Sequence, residues 1–156
     1  MGRRWKALRH MRRHERLLLL EATTSLFAVW ISVQVSGYAK TRSMLARRSR
    51  TWFVGTVRSG GDKSIEETIA EVARAVAISS HYAPFSATCL HRTLTLWWML
   101  RRRGIDSVVR IGAAQTEQGM AAHAWLERGG FVLNDDADIG RRFSPFMDVG
   151  WPHGDH

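Results

Sequence analysis

The single cysteine of the chain, Cys89, opens a strongly apolar run, CLHRTLTLWWMLRRRGI. Cysteine attacks a carbonyl carbon as the thiolate, and a helix N-terminus favours that anion through its unpaired N–H groups and its dipole. Ser86 or Thr88 can cap such a helix, which puts Cys89 in the first turn. The position suits an inert core residue equally well, since free cysteine is among the most buried residue types. A nucleophilic cysteine also needs a base. Of the seven histidines, His10 and His14 lie in a basic start, His153 and His156 in the tail, and His81 in a loop. His91, two residues after Cys89, points away from it on a helix. His123 sits in AAHAW, where strand alternation gives it one face and leaves Ala122 and Ala124 on the other. A lone strand histidine can also be purely structural. The third requirement is an acceptor that fixes the imidazole tautomer and stabilises the imidazolium. Asn134, Asp135 and Asp136 close the next strand, and a turn at Arg128-Gly129-Gly130 returns that strand beside His123. Asp135 is the preferred acceptor, with Asp136 read as a solvated turn residue.

The elements that must hold these residues are legible from periodicity and turn chemistry. DKSIEETIAEVARAVAISSHY is a helix opened by a Ser64/Glu67 capping box and ended before Pro84. The Cys89 helix buries Leu90, Leu94, Trp97, Trp98 and Leu100, carries Arg101, Arg102 and Arg103 at its C-terminus, and stops at Gly104. The period then changes. IDSVVRIGAAQ, AAHAWLER and FVLND read as three strands, with turns near TEQGM and at Gly129-Gly130. Helices followed by consecutive strands imply an α+β fold with an antiparallel sheet beside the helix. TWFVGTVRSGG reads as a connection and the tail after Asp138 as irregular.

Composition fits a soluble globular protein, and one cysteine permits no internal disulfide. Charge is unevenly spread. Residues 1–50 hold 12 Lys+Arg against 2 Asp+Glu, a balance of +10, whereas the remainder balances at −1 against a total of +9. The apolar stretch Leu17–Val35 is too long for a signal-peptide core and lacks a small-residue cleavage site. It approaches the length of a membrane span but carries Glu21, Thr23, Thr24, Ser25, Ser32 and Gln34. The preferred reading is two helices, about 6–20 and 20–38, packed on the rest of the chain, with an interfacial membrane helix as the rival. Residues 1–50 thus form a helical extension to a domain over 51–156. Nucleic-acid binding is weakly supported, because no reading motif accompanies the arginines. Scattered histidines and one cysteine lack zinc-ligand spacing, so neither a metal nor another cofactor is expected.

The order of cysteine on a helix start, histidine on the following strand and aspartate on the next strand resembles the papain-like transglutaminase superfamily. Within it, the chain is similar to the transglutaminase-like leader peptidases of lasso-peptide biosynthesis. CLHRTLTLWWMLRRRGI, RIGAAQ and AHAWLERGGFVLND carry the resemblance, from about Ser64 to Phe146, and RLLLLEA is similar to the family's helical lead-in. The resemblance implies a nucleophile helix packed on a small antiparallel sheet, with Cys89 as nucleophile, His123 as general base and acid, and Asp135 as orienting residue. It further implies hydrolysis of one peptide bond in a ribosomally made precursor, without a cofactor, ahead of a separate ATP-dependent cyclase. Residues 1–50 are too short and too helical for the leader-recognition domain that some members carry. A standalone protease subunit is therefore expected, supplied with substrate by a separate recognition protein, in the cytoplasm or at a peripheral membrane contact. Two alternatives stay open: acyl transfer by the same triad, and a non-catalytic basic module that binds a membrane or a partner.

Overall fold

The computed structural model describes residues 12–51, 64–117 and 119–145. The expected connection beyond Thr51 falls on 52–63, outside the described residues. In chain order the elements are α1 (Arg13–Thr51), α2 (Ile65–His81), α3 (Cys89–Arg101), β1 (Val108–Thr116), β2 (Gly119–Arg128), β3 (Phe131–Val132), α4 (Ile139–Arg142) and β4 (Ser144–Pro145).

Of the pair of helices expected at 6–20 and 20–38, residues 6–11 lie outside the described residues, and the rest is a single run from Arg13, interrupted at Gly37, where φ is 72° and ψ 172°. No helix-breaking residue stands near position 20, so nothing divides the helix there. Glycine alone reaches the left-handed region without a Cβ penalty, so the break falls at Gly37. Ala22, Leu26 and Val29 follow helical spacing on the inward face and are buried, as is Leu45 beyond the break. Within 13–47 this is a helix long and apolar enough, by length and composition, to cross a membrane.

In α2 both halves of the capping box form: Ser64 Oγ accepts from Glu67 N–H at 3.1 Å, and Glu67 Oε2 accepts from Ser64 N–H at 3.1 Å. Caps of this kind stabilise a helix by about 1 kcal/mol. Ile69, Val72, Ala75 and Val76 face inward. The third helix, α3, is buried almost all round: Leu94, Leu96, Trp97, Met99 and Leu100 are all at 0% exposure. It is wedged between α1, α2 and the sheet, so every side of it meets protein.

The sheet order is β3-β2-β1-β4, antiparallel throughout. β1 pairs with β2 along its whole length, from Val108 opposite Glu127 to Thr116 opposite Gly119. Gly129 and Gly130 both have positive φ, 56° and 83°, as the tight β2–β3 hairpin requires. Of the tail expected to be irregular, 139–145 is more regular than its sequence suggests, since α4 and β4 return it to the free edge of β1, and 146–156 lies outside the described residues. Ile139, buried to 2% exposure, anchors that return. The expected α+β class, with a helix on a small antiparallel sheet and a helical N-terminal element, is the observed one.

Candidate active site

Cys89 is the first residue of α3, directly after the N-cap residue Thr88, and is half-buried. The cap is built from a histidine. His91 Nδ1 accepts from Thr88 N–H at 3.2 Å and lies 2.8 Å from Thr88 Oγ1. Accepting at Nδ1 places the neutral ring's proton on Nε2, which is buried without a hydrogen-bond partner among the described residues. Burial lowers the His91 pKa, so the ring is held neutral in this role. His91 is thus part of what starts the helix at Cys89.

His123 lies in the middle of β2, opposite Gly112 of β1. Its Nε2 is 2.7 Å from Asp135 Oδ2, with the two side chains 21% and 17% exposed. The other carboxylate oxygen, Oδ1, accepts from Asp136 N–H at 2.9 Å, so both oxygens are engaged. Burial pushes the Asp135 carboxyl up. The hydrogen bonds from His123 and Asp136, with the charges of His123 and Arg92, outweigh burial and hold it below the usual carboxylate value. An ionised Asp135 only accepts, so Nε2 carries the ring proton and the neutral imidazole keeps a bare lone pair on Nδ1. Among the described residues Nδ1 has no hydrogen-bond partner, and neither has the Cys89 thiol. The His123 ring is held between Trp125, stacked at 6.5 Å, and Phe143, tilted at 5.1 Å.

Why Asp135 rather than Asp136 reaches His123 follows from where β3 ends. Val132 pairs with Glu127, and Leu133 N–H still donates to Leu126 O at 2.8 Å. Had the ladder continued, Asp136 would have stood opposite His123 and Asp135 would have pointed to the other face. It does not continue, because the side chain of Asn134 replaces the backbone: Asn134 Oδ1 accepts from Leu126 N–H at 2.7 Å. The strand FVLND expected from sequence is therefore only Phe131–Val132, and the chain swings Asp135 onto the imidazole.

The same asparagine ties in the nucleophile helix. Asn134 Nδ2 donates to Thr93 Oγ1 at 2.9 Å, and Thr93 Oγ1 donates to Ala124 O at 3.0 Å. Ala124 O is two residues from Leu126 O, on the same edge of β2, so Thr93 fills the position that β3 vacates. Thr93 is fully buried and lies one turn after Cys89 on the same helix face. One hydroxyl and one amide thus lock α3, the residue after His123 and the residue before Asp135 into a single unit. Residue-type reasoning passed over Thr93, Asn134 as a bridge, Trp125 and Phe143. Thr93 carried a signal, shared with Thr95, as a threonine inside the leucine- and tryptophan-rich part of the helix.

On the outer side of Asp135, Arg74 and Arg92 flank a cleft of about 320 Å³ floored by Leu96 and Leu133. Among the described residues no group of three or more His, Cys, Asp or Glu side chains is placed to hold a metal ion.

A half-buried cysteine starting a helix, braced against a sheet that carries a histidine–carboxylate pair, supplies the residue types that cysteine-dependent acyl transfer requires. The model of the transglutaminase-like superfamily matches residues 33–148, and the chain belongs to that superfamily. Catalysis in this superfamily is typically cysteine-based, in proteases and acyltransferases alike. No curated protein and no solved structure gives a significant match.

Proposed function

We propose that the protein is a cysteine peptidase that removes the leader from a ribosomally made lasso-peptide precursor. Cys89 is the nucleophile, His123 the base and acid, and Asp135 the orienting residue. The observation that carries the reading is the 2.7 Å His123–Asp135 hydrogen bond through Nε2, which leaves Nδ1 available to a thiol. The Thr93 and Asn134 bonds support it by tying the Cys89 helix to that pair. The specific substrate class rests on the sequence resemblance, with the leader presented by a separate recognition protein and the product passed to an ATP-dependent cyclase.

In the proposed reaction the Cys89 thiol gives its proton to His123 Nδ1, and the thiolate adds to the scissile carbonyl. The backbone N–H of Cys89, at the open end of α3, is the first donor for the resulting oxyanion. Collapse breaks the C–N bond as His123 Nδ1–H protonates the departing amine. His123 then takes a proton from water, which attacks the thioester, and Cys89 is released as thiol. Asp135 stays ionised throughout and stabilises the imidazolium.

The test is mass spectrometry of a precursor incubated with this protein and its recognition partner. Wild-type protein yields free leader and a core peptide with a new N-terminal amine. Cys89→Ala yields neither while keeping its circular dichroism spectrum. Cleavage by Cys89→Ala at the wild-type rate would overturn the assignment. A product heavier by an added amine would identify acyl transfer instead of hydrolysis.

A further inference from the structure

The outward face of the first half of α1 is apolar where a helix covered by solvent is normally polar. Leu17, Leu20, Phe27, Ile31 and Val35 recur at helical spacing along one stripe, with Thr24 completing it, and the five apolar residues are between 40% and 80% exposed. Between Arg16 and Lys40 the only charged residue is Glu21. Glu21 lies at the flank of the stripe, one turn after Leu17, with its carboxylate engaged by Arg103 at 2.6 Å and Arg102 at 3.4 Å. The exposed stripe therefore carries no charge along its whole length.

Its ends are different. Arg13 lies one turn before Leu17 on the same stripe, Arg16 is exposed beside it, and Lys40 and Arg47 are exposed beyond the Gly37 break. Phe27, Trp30 and Phe85 form a ring cluster at the stripe's edge, with Trp30 and Phe85 stacked at 4.7 Å. An uncharged apolar strip, bounded by cations and flanked by aromatic rings, matches the interface of an anionic bilayer. There acyl chains receive the apolar side chains and phosphates receive the cations. A protein groove of the same length would ordinarily meet charged as well as polar residues along its rim; here the exposed polar residues Thr23, Thr24 and Gln34 are uncharged, and both threonine hydroxyls donate to carbonyls of their own helix.

We propose that α1 docks this face on an anionic membrane surface, lying in the interface with the catalytic frame on its other side. The polar contacts of α1 argue against a spanning arrangement. Crossing the bilayer would strip Glu21 from Arg102 and Arg103, and Thr23 from its 3.0 Å hydrogen bond with Ser79 of α2. This inference is independent of the catalytic assignment, and its test reads no activity.

The full-length protein is floated with vesicles of phosphatidylcholine alone, or of phosphatidylcholine mixed with phosphatidylglycerol, at low and high salt. Wild type floats with the anionic vesicles at low salt, stays behind with the zwitterionic ones, and is largely released at high salt. Leu20→Ser/Ile31→Ser removes apolar contact, and Arg13→Glu/Arg16→Glu reverses the charge at one end. Each pair weakens partitioning about tenfold or more. Because all four positions are exposed, unchanged circular dichroism and melting are expected for both variants. Equal flotation by the variants and wild type, or no flotation of wild type at any salt, would overturn the proposal. So would a wild-type dimer that Leu20→Ser/Ile31→Ser converts to monomer, since the face would then belong to a second copy.

Discussion

At the scale of single residues, the His123–Asp135 pair sets the expected pH behaviour. The Asp135 carboxyl is held below its unfolded value of about 3.9. A depressed carboxylate contributes stability that is fully present above the unfolded pKa and is lost as pH falls through the folded one. Denaturant titrations of wild type and Asp135→Asn should therefore differ by a constant amount at neutral pH. The two should converge as pH falls through the acid range below about 4. A gap that persisted unchanged in acid would mean that ionisation of Asp135 contributes nothing. For the proposed chemistry, an amide at 135 can donate to Nε2 and so place the ring proton on Nδ1, the nitrogen proposed to take the thiol proton. Leader removal by Asp135→Asn should then fall on the order of 10⁴-fold with substrate binding little changed.

At the scale of elements, the question is what holds a helix end in register with a strand. Thr93 and Asn134 do this with three hydrogen bonds that satisfy every partner they touch. Asn134→Ala leaves Leu126 N–H without its acceptor and frees the turn before Asp135. The loss should be about 1–3 kcal/mol in denaturant unfolding. Thr93→Val keeps the shape but orphans Ala124 O and Asn134 Nδ2, at a similar cost. Both are positioning residues. Thr93→Ser, which restores the hydroxyl, should recover most of the cleavage rate, whereas a packing role alone would leave serine no better than valine. Gly112 offers a second test. A Cβ there would come within 2.9 Å of both Ser144 O and the Trp125 ring, and 3.1 Å of Phe143 Cβ. Gly112→Ala should lower the melting temperature and displace the two rings that flank His123. The chemical shifts of the His123 ring would report the displacement, and unchanged shifts would refute it.

At the scale of the whole molecule, α1 lies against both α2 and α3 and belongs to the core through Ala22, Val29 and Leu45. Its polar attachment is the Glu21 carboxylate, which receives Arg103 Nη1 at 3.2 Å and Nη2 at 2.6 Å, with Arg102 alongside. Arg103 Nη1 also donates to Met99 O at 3.0 Å, so the pair joins α1 to the last turn of α3. Glu21→Ala would leave two half-buried guanidinium groups facing each other. Unfolding free energy should drop by about 1–3 kcal/mol, with the drop shrinking as salt screens the remaining repulsion. A salt-independent loss would assign Glu21 a packing role instead. Among the described residues the outward stripe from Leu17 to Val35 of the same helix makes no ion pair, which leaves it open to the membrane contact proposed above.

Several features were decided by local chemistry and could be read directly. The Ser64/Glu67 box starts α2, Gly129-Gly130 makes the β2–β3 turn, and the change from helical to alternating spacing after Gly104 marks the passage to the sheet. These depend on residues within a few positions of one another, so the sequence contains their causes. Residue type and element order also named Cys89, His123 and Asp135 as candidates, without a geometric reason to prefer Asp135 over Asp136. Other features needed the tertiary structure. The break in α1 fell at Gly37 rather than near residue 20, and residues 139–145 formed α4 and β4 against the edge of β1. Only the fold could show that Asn134 ends β3 by substituting its side chain for the backbone, which turns Asp135 onto His123. Periodicity continued from β3 would have selected Asp136. The partners of that asparagine, Thr93 and Leu126, are distant in sequence, and no local pattern encodes a bond that exists only once α3 and β2 are packed together.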